Sequence, residues 1–512
     1  MTSDKPARGS ARRSKRALRQ ADAPRAAADT GTLVKSTFKP LTDTETVQIH
    51  RASLELLSTV GLANATPEVI EVAVARGCVL NADNRLCFPA SLVEDTIARA
   101  AKRFTVHARN PQFDFEVASG QLNLCTGGAA VSVYEHRTGG YRPSLLSDIY
   151  DFARVADTLE NIQWFARPLV ATDVVDPVAL DLNTVLACAA GTEKHIATSL
   201  SHGEAAQTVS TLLAELAGGA DAFKARPFCT VHATTVVSPL SFAPDALDVV
   251  CEAVKMGMPI HSQTGPQAGA TAPAALAGTL VQCCAEGLAS LCVINFLQPG
   301  HPVVIGNWAF VSDLRTGAFS GGGGEQALLG AASGQMSAFY GVPGGMGAGM
   351  TDSKQPDIQA GFEKAQSLLL ASLSGGGFVY ESAGMLASLL GCSLEAMVAD
   401  NELLSSIRRV ARGIEVNDDT LSLDVIKATA SGVGHYLGAD QTLSLMESEF
   451  VYPELADRAS PDDWAQSGAR SMLDNAAEKV ENILATHRPY YIDRETDRLV
   501  RERYPVHLQR PE

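Results

Sequence analysis

The spacing of apolar residues changes character along the chain. From Leu41 to Val60, from Pro67 to Ala75 and from Pro89 to Ala101 they recur at helical spacing, and Asp43 or Thr44 can cap the first of these helices. Short runs of strand character follow: Phe104–Ala108, Phe113–Val117, Leu122–Cys125 and Val131–Tyr134. Asn110-Pro111 and Gly127-Gly128 divide them as turns. Residues 32–145 are therefore expected to form an α+β extension. From 146 onward, strands alternate with longer amphipathic or apolar helices. The predicted strands are Trp164–Val170, His195–Leu200, Phe228–Val236, Pro259–Thr264, Pro302–Trp308, Val342–Gly347, Gly377–Ser382 and a faint eighth at Gly413–Val416. Helices such as Leu180–Gly191, Pro244–Gly257 and Gln326–Tyr340 lie between them. Strand–helix units of this kind imply parallel strands joined by right-handed crossovers. Eight of them predict an α/β fold with a (β/α)8 TIM-type barrel over 146–438, an open doubly wound sheet being the other topology. Residues 439–512 are polar and helical, broken at Pro453, Pro461 and Pro489, and read as a helical C-terminal extension. Residues 1–31 read as a disordered basic tail.

The longest apolar stretch, Leu276–Leu297, contains Gln282, Glu286 and Asn295, and so reads as a buried helix and not as a membrane span.

In a barrel the chemistry sits where strands end. Reading those ends in order gives Arg167; Ser199, Ser201 and His202; His232, Thr234 and Thr235; His261, Ser262 and Gln263; Asn307-Trp308 with Phe310; the run Gly347–Ser353; and Tyr380-Glu381. Each polar residue alone suits a structural role, but as a set on one rim they predict a binding site. No H-x-H, H-E-x-x-H or C-x-x-C spacing occurs, so no metal site is expected. The glycine-rich runs Gly321–Gly324 and Gly344–Gly349 lack the Lys-Ser/Thr of a phosphate loop and the strand-to-helix setting of a dinucleotide fold. The first strand is followed by no glycine-rich adenosylmethionine motif.

Composition adds exclusions. The formal net charge of −16 argues against a nucleic-acid partner, and the basic excess is confined to the first 30 residues, with eight Lys/Arg against three Asp/Glu. No apolar signal segment precedes the body of the chain, and the ten scattered Cys read as buried free thiols, so a cytoplasmic location is expected.

The segment Met350-Thr351-Asp352-Ser353-Lys354, continued by Asp357, Gln359-Ala360-Gly361-Phe362-Glu363-Lys364, resembles the trimethylamine methyltransferase (MttB) superfamily. So do Ser238-Pro239-Leu240, Ala272-Pro273 with Leu276-Ala277-Gly278, Pro299-Gly300 with Pro302-Val303-Val304, Asp313 with Arg315-Thr316-Gly317, and Gly434-His435-Tyr436-Leu437-Gly438. The resemblance implies a barrel that presents a methylated amine to a separate corrinoid (cobalamin) protein, with no cofactor tightly bound. Founding members carry pyrrolysine on the rim of the sixth expected strand, just before a Ser/Thr-Asp-Ser segment. Here Gly349-Met350-Thr351 holds only ordinary residues. Pyrrolysine-free relatives imply a quaternary amine such as glycine betaine.

A quaternary ammonium already carries its charge and leaves as a neutral amine, so no strong general acid is required and no catalytic residue is assigned. The barrel's task is binding, orientation and desolvation. An aromatic box is expected from Trp308, Phe310 and Tyr380, with Tyr134 also near the rim and Glu381 adding cation-favouring charge. A polar clamp for a substrate carboxylate is expected from His232, Gln263, Asn307 and, less directly, Arg315. The corrinoid is expected to dock over the glycine-rich segments, with Gly347, Gly349 and Met350 as its contacts. Other readings are a same-fold methyltransferase using another donor or passing methyl to a pterin, and a betaine-binding protein without catalysis. A homo-oligomer is compatible with all of these.

Overall fold

The computed structural model describes residues 32–34, 38–375, 377–432 and 434–511, so the tail expected over 1–31 lies outside the described residues. Eight parallel strands close a barrel: β1 (Gln121–Leu124), β2 (Trp164–Ala166), β3 (His195–Ser199), β4 (Cys229–Thr234), β5 (Ile260–Thr264), β6 (Val303–Asn307), β7 (Gly344–Gly347) and β8 (Gly377–Tyr380). Each pairs with its successor, β8 pairs with β1, and a parallel bridge between Cys125 and Trp164 joins β1 to β2. The Gln163 N–H donates to Leu124 O at 3.0 Å across that last seam.

Eight helices form the outer ring: α1 (Leu146–Thr158), α2 (Pro177–Gly191), α3 (Gly203–Ala217), α4 (Pro244–Lys255), α5 (Leu276–Leu297), α6 (Gly324–Tyr340), α7 (Ile358–Leu373) and α8 (Leu394–Arg412). Each packs on the next and α8 returns to α1. The class of fold read from the strand–helix rhythm holds.

One strand is corrected. Gly413–Val416 forms no strand, and its apolar residues Ile414 and Val416 are 83% and 72% exposed. The missing member is β1, which the sequence reading placed in the extension ending at 145. The eightfold repeat thus runs from Gln121 to Arg412. A hairpin, Ser132–Glu135 with Gly140–Pro143, separates β1 from α1. That hairpin makes β1 look like part of an antiparallel run and hides its crossover.

Helix α5 is hydrophobic on all faces because it is covered on all faces. Its inner side meets β5 and β6, and its outer side meets the helices Asp43–Thr59, Pro67–Ala75 and Ala90–Arg99. It is long and apolar enough to cross a membrane, yet 89% of its most apolar window is buried inside the protein. Three N-terminal helices therefore do what lipid would otherwise do. The ten cysteines are free and buried. Of the C-terminal helices, Met472–Thr486 packs on α8 and α1, and Arg494–Arg503 on α3.

Strand alternation fills the barrel. Outward residues such as Phe165, Val231, Ile260, Ile305 and Val379 join the core beneath the helices. Inward residues form a second, aromatic core of Trp164, Phe378, Tyr380, Trp308 and Phe310. The hairpin Arg103–Val106 with Phe115–Ala118 plugs the N-terminal end of the barrel, where Val106, Phe115 and Val117 join this inner core and the Phe115 and Phe378 rings meet at 6.0 Å. Below, the interior is covered by this hairpin; a cavity opens at the strands' C-terminal ends.

Candidate functional site

Two inward positions on β7 and one on β6 are glycine, and the space they leave decides the interior. A Cβ at Gly306 would come within 2.7 Å of His261 Nε2, and one at Gly345 within 2.8 Å of the same atom and 3.3 Å of the Tyr380 ring. Room exists there for His261 and Tyr380 to stack face to face, with centroids 3.8 Å apart and an angle of 2° between planes. His232 stands against both, 4.7 Å from His261 and 4.8 Å from Tyr380. Burial keeps these imidazoles neutral: His232 is pushed down to about 3, and His261 well below the usual histidine range. His195, lower in the barrel, is also pushed to about 3; it contacts His107 O at 2.7 Å and Thr230 Oγ1 at 2.8 Å.

Above this layer lies a cavity of about 280 Å³ at the strands' C-terminal ends. Its apolar walls are Trp308, Phe310 and Leu389; its polar ones include His232, Gln263 and Glu381. Its rim includes Gly128, Ala129 and Gly265, which are small and uncharged.

Glu381 reaches the cavity against the local rule. Phe378 and Tyr380 face inward and Val379 outward, so the next residue in a regular strand faces the helices. Glu381 instead has a φ of +63°, a conformation that few non-glycine residues adopt, and it lines the cavity. Its Oε2 is buried without a hydrogen-bond partner, and burial pushes its pKa up to about 8. Glycines again provide the space: a Cβ at Gly347 would lie 3.1 Å from Glu381 Oε2, and one at Gly127 3.4 Å from Glu381 Cγ. Unpartnered buried polar atoms gather around it, namely Gln263 Oε1, His232 Nε2 and Trp308 Nε1. Further such atoms belong to the layer beneath, on His261, Tyr380 and Trp164, so unpartnered polar groups run from the barrel interior up to the cavity. Among the described residues no group of three or more His, Cys, Asp or Glu side chains gathers to hold a metal.

The structure brings His232, Gln263, Trp308, Phe310 and Glu381 together, as the rim reading expects. It corrects the others. Asn307 is the outward residue after Gly306: a Cβ on Gly287 of α5 would fall 2.2 Å from its Oδ1. It therefore faces the helix layer and does not reach the cavity. Arg315 is 88% exposed and paired with Asp313 at 2.8 Å. Tyr134 packs with Leu386 and, edge-on at 5.4 Å, with Tyr141, outside the cavity lining. Tyr380 lies a layer beneath the cavity, fully buried, its hydroxyl unpartnered. Gly347, Gly349 and Met350, expected on a docking surface, are all buried. Gly347 and Gly349 shape the space around Glu381, and Met350 belongs to the inner core.

Two consequences are measurable. Tyr380→Ala is expected to lower stability by about 3–5 kcal/mol, because it empties the centre of the inner core. Tyr380→Phe is expected to change stability by less than about 1 kcal/mol in either direction, since the hydroxyl has no partner to lose; urea unfolding midpoints separate the two.

The motif from Met350 to Lys364 is a scaffold for the rim. Asp352 accepts from Ser320 Oγ (2.7 Å), Gly321 N (2.7 Å) and Ser388 Oγ (2.6 Å), tying two other segments to its own loop through one carboxylate. Glu363 accepts from Thr351 Oγ1 and Asp352 N, and Ser353 Oγ donates to Asp357 at 2.9 Å. The only sequence signal of a scaffolding role is the density of capping and turn residues.

A family model described as trimethylamine methyltransferase matches residues 8–504. Trimethylamine methyltransferase of Methanosarcina barkeri is 31% identical over 458 residues, 88% of this chain and 92% of that protein. Glycine betaine methyltransferase of Desulfitobacterium hafniense is 30% identical over 460 residues, 90% of this chain and 95% of that one. Among solved structures, the monomethylamine methyltransferase of Methanosarcina barkeri superposes with a TM-score of 0.54 at 14% identity, covering 89% of this chain and 90% of its own, a likeness of fold.

Proposed function

The chain belongs to the trimethylamine methyltransferase family and is a methyltransferase, and we propose that its methyl donor is a quaternary ammonium and its acceptor a corrinoid carried by a partner protein. The observation that carries this reading is Glu381: a buried carboxyl whose Oε2 has no partner, set beside an indole and a phenyl ring, in a cavity that among the described residues is lined by no Lys or Arg. Such a site is complementary to a cation that needs contact with π faces and a carboxylate. The volume, about 280 Å³, suits a small ligand. The relatives' names, trimethylamine and glycine betaine methyltransferase, lie in the same chemical range.

The residues fit the acceptor as well. Gly128, Ala129 and Gly265 at the mouth put no bulky or charged side chain between the cavity and a flat macrocycle arriving from outside. The corrinoid supplies a strongly nucleophilic metal centre. This chain supplies the rest. Trp308 and Phe310 hold the methylated head, and Leu389 with the closed barrel floor excludes water, so the cation gives up its hydration before reaction. No side chain has to deliver a proton, because the departing amine is neutral. The neutral state of His232 agrees with this, since a cationic imidazole there would repel the donor. Attraction to Glu381 acts on the bound donor at least as strongly as on the transition state, in which positive charge on nitrogen is fading. It therefore sets affinity more than turnover.

Trp308→Ala is expected to weaken quaternary ammonium binding about 5–30-fold, the loss of roughly 1–2 kcal/mol of cation–π contact, by isothermal titration calorimetry. A tetraalkyl carbon isostere of the same shape should bind poorly to both forms. The reading itself is tested by mixing the protein with a reduced corrinoid protein and tetramethylammonium or glycine betaine and following decay of the Co(I) absorbance. Decay that depends on this chain supports it. Binding of the ammonium with no decay on any cognate corrinoid protein identifies a non-catalytic binding protein.

A further inference from the structure

A donor bearing a quaternary head still has a fourth substituent, and the cavity discriminates among the possibilities. Among the described residues no Lys or Arg lines it, Glu381 is its one acidic group, and its histidine is neutral. The cationic candidates for a carboxylate clamp are elsewhere. Arg315 is exposed and paired with Asp313. Arg167, which follows β2, is one residue beyond the inward Ala166 and donates to Leu169 O at 3.1 Å on the side of Asp181 and Cys188 of α2; its charge is felt by His232, but its side chain is not part of the cavity lining. A carboxylate in this cavity would sit near Glu381, with Arg167 behind His232 as the nearest cation.

The unpartnered atoms ask for something else. Gln263 Nε2 already donates to Thr234 Oγ1 at 2.9 Å, which leaves Gln263 Oε1 as a buried acceptor. Trp308 Nε1 is a buried donor and His232 Nε2 a buried nitrogen, both without partners. A single hydroxyl, which both donates and accepts, serves Gln263 Oε1 and Trp308 Nε1 together; a carboxylate, which only accepts, leaves Gln263 Oε1 unpaired and repelled.

Resting on the quaternary ammonium reading above, we propose that the cavity selects a quaternary ammonium whose fourth substituent ends in an uncharged hydroxyl, with Gln263 and Trp308 as the specificity-determining residues, in preference to a carboxylate-bearing betaine. The head lies against Phe310, the Trp308 face and Glu381. The hydroxyl donates to Gln263 Oε1 and accepts from Trp308 Nε1–H. Trp308 thus serves both ends of the ligand, its face the charge and its edge the hydroxyl.

The test is calorimetric binding of three ligands that share one head: (2-hydroxyethyl)trimethylammonium, glycine betaine and tetramethylammonium, on the wild-type chain at pH 8.5. The hydroxyl ligand is expected to bind at least about 10-fold more tightly than glycine betaine. In Gln263→Leu its affinity should fall to that of tetramethylammonium, while tetramethylammonium itself is unchanged. Trp308→Phe, which keeps an aromatic face and removes the donor, should lower the ratio of hydroxyl-ligand to tetramethylammonium affinity several-fold, the weaker cation–π face of Phe acting on both ligands alike. Glycine betaine binding as tightly as the hydroxyl ligand overturns the proposal, and if that binding is lost in Arg167→Gln, the carboxylate has found a clamp at Arg167. Equal affinity for all three ligands also overturns it but leaves the quaternary ammonium reading standing. Binding of none of the three overturns both.

Discussion

Glu381→Gln is expected to weaken binding of a quaternary ammonium by about 30-fold or more at pH 9, and by less than about 3-fold at pH 6. The loss of a buried countercharge to a bound cation is worth roughly 2 kcal/mol or more. The pH dependence follows from the carboxyl's raised pKa of about 8. Below that value the side chain is mostly protonated, attracts a cation weakly, and differs little from glutamine. Above it the carboxylate is present and the cation becomes its partner. Wild-type affinity should therefore rise as pH rises through about 8, and the variant should be flat; calorimetry across pH 6 to 9.5 reads both. Because the attraction acts on the bound donor, KM should move more than kcat. A flat wild-type profile, or a variant that binds as tightly as wild type at pH 9, removes Glu381 from the site. Without ligand the effect on stability runs the other way. The folded carboxyl holds its proton up to about pH 8 while the unfolded one releases it near 4.5, so folding binds a proton in that window and stability falls as pH rises through it. At pH 9 the ligand-free variant should be the more stable by on the order of 1–3 kcal/mol, since it buries no unpaired charge.

Gly349→Ala is expected to destabilise the protein by about 3 kcal/mol or more and to abolish ligand binding with it. The backbone at Gly349 has a φ of +91°, outside the range a side chain adopts without strain. The added Cβ would also lie 2.8 Å from Glu381 O and 2.8 Å from Ser382 Cα, atoms of the main chain that have no rotamer to move into. Strain of about 1–3 kcal/mol and overpacking of about 1–3 kcal/mol act together. The displaced segment is the one that turns Glu381 into the cavity. Gly361→Ala is the control, on the exposed face of α7 with nothing within 4 Å of the new Cβ; it should raise stability by a few tenths to about 1 kcal/mol. Were Gly349 part of an open docking surface, its replacement would leave the urea midpoint unchanged and affect only transfer to the corrinoid. An unchanged midpoint would therefore refute the packing account.

What the sequence determined by itself is what local pattern controls. Apolar, β-branched runs such as Val303–Ile305, bounded by turn residues, suit strands buried on both sides, and the helices between them carry the spacing that covers such strands, so seven of eight barrel strands and their parallel order were legible. So was the gathering of His232, Gln263, Trp308, Phe310 and Glu381 around one cavity: each lies at or just beyond the end of an expected strand, and the fold brings strand ends to one mouth. Tertiary structure decided three things that no local pattern encodes. The eighth strand, Gln121–Leu124, is assigned to the barrel by its neighbours Gly377–Val379 and Trp164, more than 250 residues away on one side and about 40 on the other. The direction of each side chain depends on strand phase and on single backbone angles. Asn307 and Trp308 are adjacent yet face opposite layers, and Glu381 enters the cavity only because its φ is positive. Finally, the meaning of the glycines is set by what stands opposite them. Read in sequence, Gly345, Gly347 and Gly349 belong to a glycine-rich run expected to form an open docking surface, and Gly306 is only part of a strand. In the barrel they are the missing side chains that leave room for the His261–Tyr380 stack and for a buried carboxylate, because space in a close-packed interior is defined by partners distant in the chain.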